Sequence, residues 1–429
     1  MTDSVFVKVA HKQYGPLSKS ELRGWIKKGQ FSKKDLVWND DAKEWIEAEK
    51  FEQLKSIFDD PKPKVAGKTI YAIGSGKGGV GKTIITASLG IGLAALGSDV
   101  VLIDADFGGA NLHTSMGILK PEYTFLDYYT MQRETLDDIT LDTPIENLKI
   151  ISGACGTLGL ANPKYSQKVR FINELKMINA NHILLDLGAG SSFDIIDFFL
   201  AVDQGIIVVS PEPTAIHEGF DFLKICLLRK IYRAFKNHSE ILSALHLDGI
   251  DNVSQLSLPV ENLLHKLQHS NQEATSIMET VLEEFKPKLI LNMVREPDEI
   301  KEGIALKTAA AELLSIDLDY LGYIEYDEEI RNSVKNLRPF ILHNPESKAS
   351  RSLAKLITVK LLNRHGFQSL RDKFRLKREI NRTSQQYALN SPYANQTICS
   401  VKCFYWDDCE FQNGGFPCNI RQLEPILRS

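Results

Sequence analysis

Residues Gly76-Lys77-Gly78-Gly79-Val80-Gly81-Lys82-Thr83 decide how the rest of this sequence is read. An apolar run, Thr69-Ile70-Tyr71-Ala72-Ile73, leads in. A helical run from Ile84 to Leu96 leads out and stops at Gly97, a residue suited to a helix C-terminus. Strand, glycine loop and helix in that order turn the G-x-x-x-x-G-K-T spacing into a phosphate-binding loop. Glycines let backbone N–H groups turn toward phosphate oxygens, and the helix N-terminus adds its partial positive charge. Lys82 is placed to reach the β- and γ-phosphates, and the Thr83 hydroxyl to ligate Mg²⁺. The whole run from Gly76 to Thr83, with Ile84 on the first helical turn, is expected to line the nucleotide.

The chain around this loop has 429 residues, enough for two to three domains. Apolar content of 43% and charged content of 25% are those of a globular protein. No apolar run approaches the ~18 residues of a membrane-spanning helix. The opening Met-Thr-Asp-Ser-Val-Phe-Val-Lys lacks the pattern of a secretory signal, so a cytoplasmic location is expected. Residues 1–60 carry 11 basic and 11 acidic side chains and residues 364–429 carry 10 and 6, which leaves 30 against 38 in between. An acidic middle with a mildly basic tail argues against sequence-specific nucleic-acid binding.

Further strands end in residues of the kind that serve a phosphate loop. Asp99-Val100-Val101-Leu102-Ile103 runs into Asp104-Ala105-Asp106-Phe107-Gly108-Gly109-Ala110-Asn111-Leu112. His182-Ile183-Leu184-Leu185 runs into Asp186-Leu187-Gly188-Ala189-Gly190. Carboxylates at the C-terminal ends of such strands face the ligand crevice of an open α/β sheet. Asp186 suits a Mg²⁺-holding position, and Gly188 allows the backbone close to the γ-phosphate. Gly205-Ile206-Ile207-Val208-Val209 leads to Ser210-Pro211-Glu212-Pro213-Thr214, and Lys288-Leu289-Ile290-Leu291 ends at Asn292, with Arg295 three residues on. Tyr320-Leu321-Gly322-Tyr323-Ile324 is the last such run. Strands separated by helices predict a doubly wound, mostly parallel sheet.

The string Lys77-Gly78-Gly79-Val80-Gly81-Lys82-Thr83 resembles the deviant phosphate loop of the MinD/ParA ATPases, in the SIMIBI class of P-loop NTPases. Asp104-Ala105-Asp106 and Pro211-Glu212-Pro213-Thr214 resemble the FlhG/MinD branch. The resemblance implies ATP and Mg²⁺ as ligands and an ATP-dependent homodimer, with Lys77 reaching the partner's nucleotide. It further implies Asp106 orienting the attacking water, Asp104 supporting the metal shell, Glu212 near the nucleotide and dimer contact, and Asn292 at the adenine, with Arg295 among the nucleotide-binding residues. Slow hydrolysis, stimulated by a partner, would control the position or number of a cellular assembly. Residues 233–286 exceed a minimal core and read as extra helices, Ser239–Leu245, Pro259–His269 and Glu273–Phe285, that would cap the site or bind a partner.

The flanks carry three further expectations. Residues 1–58, with Tyr14-Gly15-Pro16, Leu22, Gly29, Val37-Trp38 and Trp45, resemble a GYF-like domain. Ser18 and Glu21 there read as a capping box, and a peptide-binding role is implied. A linker follows at 59–66, then the ATPase core at 67–363. The segment 364–395 reads as a basic helix, with seven Lys or Arg against two acids from Arg364 to Arg382 and Phe367, Leu370, Phe374 and Ile380 interleaved. MinD and FlhG proteins end in a membrane-binding amphipathic helix, which would put the chain at the inner membrane face or the cell pole. The apolar stripe is narrow, however, and packing on the core with a solvated basic face is the preferred reading.

Finally, Cys399, Cys403, Cys409 and Cys418 in the tail 396–429 suit a zinc or iron–sulfur site, or else are free or paired cysteines. Cys155 and Cys226 read as small core residues and do not form the C-x-x-C of related iron–sulfur carrier ATPases. Such a carrier, working through the tail cysteines, is the second functional reading. A scaffold with a degenerate ATPase is a third, opposed by the intact set Lys77, Lys82, Thr83, Asp106 and Asp186.

Overall fold

The chain divides into two units, residues 1–65 and 66–429. The computed structural model describes residues 4–9, 12–18, 21–22, 25, 31, 35–39, 43–51 and 54 of the first, and 67–153, 165–244, 267–268, 271–362 and 366–390 of the second. The tail cysteines, Cys155, Gly29 and most of 245–270 lie outside the described residues.

In the first unit, Val5, Val7 and Val9 alternate with polar or exposed neighbours along β1 (Ser4–Val9). It pairs antiparallel with β2 (Lys12–Ser18) and β3 (Leu36–Asn39), and β4 (Glu44–Glu47) completes the order β2-β1-β3-β4. Val7 faces Val37 in register, and with Leu22, Phe31, Ala48 and Leu54 they form the core. The capping box is present: the Glu21 carboxylate accepts from the Ser18 amide at 2.8 Å, and the Glu21 amide donates to the Ser18 hydroxyl at 3.3 Å. Trp25 packs on this core and meets Tyr14 edge-on at 5.1 Å, while Trp38 and Trp45 pair at 5.5 Å.

The second unit is built on eight strands: β5 (Thr69–Ser75), β6 (Val100–Ala105), β7 (Leu141–Asp142), β8 (Leu148–Ile151), β9 (His182–Ala189), β10 (Gln204–Val209), β11 (Lys288–Val294) and β12 (Asp319–Glu325). Their order is β12-β11-β10-β5-β9-β6-β8-β7, parallel except for β7 against β8. The central strands are buried almost throughout, as continuous apolar runs covered on both faces require. Only β7 and β8 escape the sequence reading, because runs of two and four residues carry too short an apolar pattern.

Helices occupy both faces. They are α1 (Lys82–Ala95), α2 (Leu112–Ser115), α3 (Phe125–Tyr129), α4 (Tyr165–Leu175), α5 (Phe193–Phe199), α6 (Pro213–Phe235), α7 (Ser239–Ala244), α8 (Gln272–Glu284), α9 (Ile300–Leu314), α10 (Glu328–Lys335), α11 (Phe340–His343), α12 (Lys348–Lys355) and α13 (Gly366–Asn390). One apolar layer joins α3 to α6, α8 and α9 to the sheet, and the other joins α1, α2 and α11 to α13. α1 ends in a Schellman motif: Gly97, at φ 90°, donates to Ala94 and Ser98 donates to Leu93.

On α13, Leu376, Ile380 and Tyr387 are buried in the second layer, and the Ser384 hydroxyl donates to the Leu342 carbonyl at 2.6 Å. Spacings of 4, 4 and 3 put these four on one face, turned to the core. Phe374 points away and is 74% exposed. Of the two readings of this helix, the structure has the packed one.

Candidate functional site

The carboxyl ends of β9, β5 and β6 open into one crevice, where β5 hands the chain to α1 through the glycine loop. Gly79 and Gly81 sit at φ 79° and 92°, a left-handed backbone that glycine adopts without Cβ strain. Gly76 is required for another reason: a Cβ there would lie 2.0 Å from the Glu218 carbonyl oxygen of α6. Gly78 is exposed and Val80 is buried. α1 begins at Lys82 with Gly81 as its N-cap and no acidic side chain in its first turn. Its N–H groups are thus left for an anion.

Around that helix start the sequence-predicted residues converge. Lys82 is buried, and desolvation holds its ammonium below the usual lysine range despite the opposing charges of Asp186 and Asp106. Asp186 is buried and pushed up to about 6, chiefly by desolvation, against the pull of hydrogen bonds from Thr83 and Thr86 and the charge of Lys82. The Thr86 hydroxyl lies 3.1 Å from Asp186 Oδ1 and 2.9 Å from the Lys82 carbonyl. Ile84 is partly buried in the same turn.

Asp104 is pushed up to about 8 by desolvation first and the nearby Asp186 second. Its two oxygens take the amides of Asp106 (3.3 Å) and Leu112 (2.9 Å), which clamps the intervening loop at both ends. Asp106 in turn accepts from the amides of Gly108 (3.2 Å) and Gly109 (3.0 Å) and stands over Gly188, whose Cβ would lie 3.2 Å from Asp106 Oδ1. Three carboxylates share this corner with one lysine. The surplus negative charge and hard oxygen donors fit a divalent cation such as Mg²⁺.

Asn292, at the end of β11, is buried and donates from Nδ2 to the Val80 carbonyl at 2.8 Å. A Cβ on Gly81 would come within 2.4 Å of that nitrogen. The next residue, Met293, has φ 63°, and the ladder to β12 shifts between Leu291 and Val294. Arg295 is exposed, and its guanidinium lies 3.9 Å over the Tyr326 ring. Glu212 is exposed and accepts the Ser210 hydroxyl instead of capping α6. Lys77 donates from Nζ to the Thr214 hydroxyl at 2.5 Å, and its carbonyl accepts from Ser75 Oγ at 2.7 Å.

Sequence reasoning missed Thr86, Ser75 and the α6 backbone at Glu218. Thr86 and Ser75 are ordinary small polar residues whose burial only the fold creates. Thr214 was visible in the Pro-Glu-Pro-Thr run, without its partner. Among the described residues no group of three or more His, Cys, Asp or Glu forms a metal-holding cluster of its own. Cys226 is buried and its thiol is pushed well above the usual range by desolvation, as suits an inert core residue.

Residues 71–340 match the family described as the CobQ/CobB/MinD/ParA nucleotide binding domain, and residues 6–54 match GYF domain 2. The antiactivator FleN of Pseudomonas aeruginosa is 27% identical over 284 residues, covering 66% of this chain and 82% of FleN. The septum site-determining protein MinD of Synechocystis is 34% identical over 152 residues, covering 35% of this chain and 56% of that protein. Among solved structures, MinD from Pyrococcus horikoshii OT3 complexed with Mg-ADP aligns at 23% identity and a TM-score of 0.47, over 70% of this chain and 98% of its own.

Proposed function

The chain belongs to the CobQ/CobB/MinD/ParA nucleotide-binding family, and from that premise we propose an ATP-dependent dimerising switch that governs where, or in how many copies, a cellular assembly is built. It is an ATPase. FleN is named an antiactivator and MinD a septum site-determining protein, and both names describe a regulatory role, in MinD's case the placing of a structure. The observation that carries the reading is the meeting of Lys82, Thr83 and Asp186 at an uncapped helix start, with Asp106 close to them and Lys77 in the same loop.

ATP lies with its phosphates in the loop, where backbone N–H groups and Lys82 bind the β- and γ-oxygens. Mg²⁺, when bound, neutralises phosphate charge, and Thr83 and Asp186 would hold it. Asp106, held by the Gly108 and Gly109 amides, orients the attacking water, and Asp104 keeps that loop in shape. Asn292 braces the loop at Val80 on the side of the base, Arg295 joins the nucleotide contacts, and Gly188 and Glu212 border the phosphates. Lys77 crosses to the partner's nucleotide, so that two ATP-loaded protomers close on each other and hydrolysis parts them. The amino-terminal module and the 233–286 insertion connect this switch to protein partners.

We place the protein in the cytoplasm. Among the described residues no helix is long and apolar enough to cross a membrane. The buried face of α13 is spent on the core, so peripheral attachment would rest on Phe374 and its basic neighbours. The iron–sulfur carrier reading, which works through tail cysteines outside the described residues, is not favoured, since FleN and MinD, to which the chain is similar, are named for antiactivation and septum placement. Light-scattering mass with Mg-ATP, Mg-ADP and no nucleotide tests the switch. An ATP-only dimer, trapped by Asp106→Ala and lost in Lys77→Ala, is expected. An Asp106→Ala protein that binds ATP normally and stays monomeric overturns it.

A further inference from the structure

The switch needs Lys77 to leave its own protomer, yet in the single chain that side chain has an address. Its ammonium donates to the Thr214 hydroxyl at 2.5 Å, across 137 residues of sequence. The backbone beneath is fixed, because the buried Ser75 hydroxyl holds the Lys77 carbonyl at 2.7 Å. Only the side chain is therefore free to change partner. Glu212, two residues before Thr214, accepts the Ser210 hydroxyl, and the ammonium meets a neutral acceptor.

That hold is weak by construction. Thr214 is the second residue of α6, behind Pro213, so the contact sets a cation against the positive end of a 23-residue helix. A hydroxyl there retains an ammonium when nothing better is offered, and yields it when a phosphate arrives. We propose that Thr214 is a positioning residue that parks Lys77 on its own protomer and thereby raises the concentration at which ATP-loaded protomers pair. The inference rests on the reading that Lys77 crosses the dimer. If only the fraction of chains with Lys77 released is competent to pair, the apparent dimer Kd is raised by the inverse square of that fraction, since both protomers must release it.

The full chain carrying Asp106→Ala, to stop turnover, is compared with Thr214→Val and Thr214→Ser added. Two readings are taken: dimer Kd with Mg-ATP by sedimentation equilibrium, and the ¹⁵N-edited ammonium resonance of Lys77 in the nucleotide-free monomer. Thr214→Val, which keeps the shape and removes the acceptor, should tighten the dimer roughly 4- to 100-fold, the worth of one hydrogen bond on each protomer. It should also broaden or erase the Lys77 resonance. Thr214→Ser should leave both as they are.

A Lys77 resonance indifferent to Thr214→Val overturns the contact. A resonance lost with an unchanged or weakened dimer overturns the gating. If none of the variants dimerises with ATP, the switch reading itself has failed and the gate with it, an outcome distinct from a dimer of unaltered Kd.

Discussion

Replacing Asn292 by Ala separates two jobs for one buried amide. Family resemblance puts this residue at the adenine, whereas its Nδ2 donates to the Val80 carbonyl inside the phosphate loop at 2.8 Å. Truncation leaves that buried carbonyl without its partner, and an unsatisfied buried acceptor costs about 1–3 kcal/mol. Gly81 lies beside the same nitrogen, so the lost contact falls on the turn that presents Lys82. If the loop bears that cost, affinity drops roughly 5- to 150-fold for anything that binds through phosphates. Calorimetric titration with Mg-ATP, Mg-GTP and Mg-tripolyphosphate gives the answer. All three should weaken by a similar factor. Tripolyphosphate binding left intact while ATP binding falls would show that the amide serves the base and that the Val80 contact carries no weight.

Two other consequences can be measured directly. Asp104 and Asp186 are held up to about 8 and about 6, so the folded apo protein keeps protons that the unfolded chain gives up near pH 4. Its stability therefore falls as pH rises from about 4 toward 8, by at most about 1.4 kcal/mol per pH unit for each proton. Thermal melts between pH 5 and 8.5 should show Tm declining without ligand and the decline flattened by Mg-ATP; a Tm that rises through this window would contradict the buried-carboxylate account. On α13, Leu376→Ala should cost about 2–5 kcal/mol and Phe374→Ala less than about 0.5, read from denaturant midpoints, and the reverse ranking would mean the helix is turned the other way.

The parts of this protein that were legible in its sequence are those in which local pattern and tertiary role coincide. A strand buried on both faces is an unbroken apolar run whatever surrounds it, so β5, β6, β9, β10 and β11 could be read directly. The loop glycines announce themselves because Gly79 and Gly81 need left-handed backbone, although Gly76 is glycine for a reason no pattern carries, the α6 backbone behind it. The face of α13 was harder. The apolar set read from the sequence includes Ile380, which is buried, and Phe374, which is exposed, but it omits Leu376 and Tyr387, which the helix buries with Ser384 bonding to Leu342 among them. A stripe that includes a hydrogen-bonded serine and a tyrosine does not look apolar. The Tyr387 hydroxyl bonds to the Met116 carbonyl, in the turn after the clamped Asp106 loop.

Those contacts have a mechanical consequence. The phosphate loop is touched by elements far apart in the chain: Glu218 of α6 backs Gly76, Thr214 of α6 takes Lys77, and Asn292 of β11 takes Val80. β11 lies two strands from β5 in the sheet, and α6 packs in the layer that covers it, so a shift of either would bear on the loop through these contacts. On the other side, Asp104 fixes Leu112, and Tyr387 of α13 holds Met116 one turn later. A partner that levers α13 off the core would therefore loosen the segment bearing Asp106 without touching the nucleotide. Closely packed elements of this kind rearrange between discrete positions and do not deform by degrees, and for that reason a stimulating contact on α13 should change the turnover rate more than the affinity for ATP.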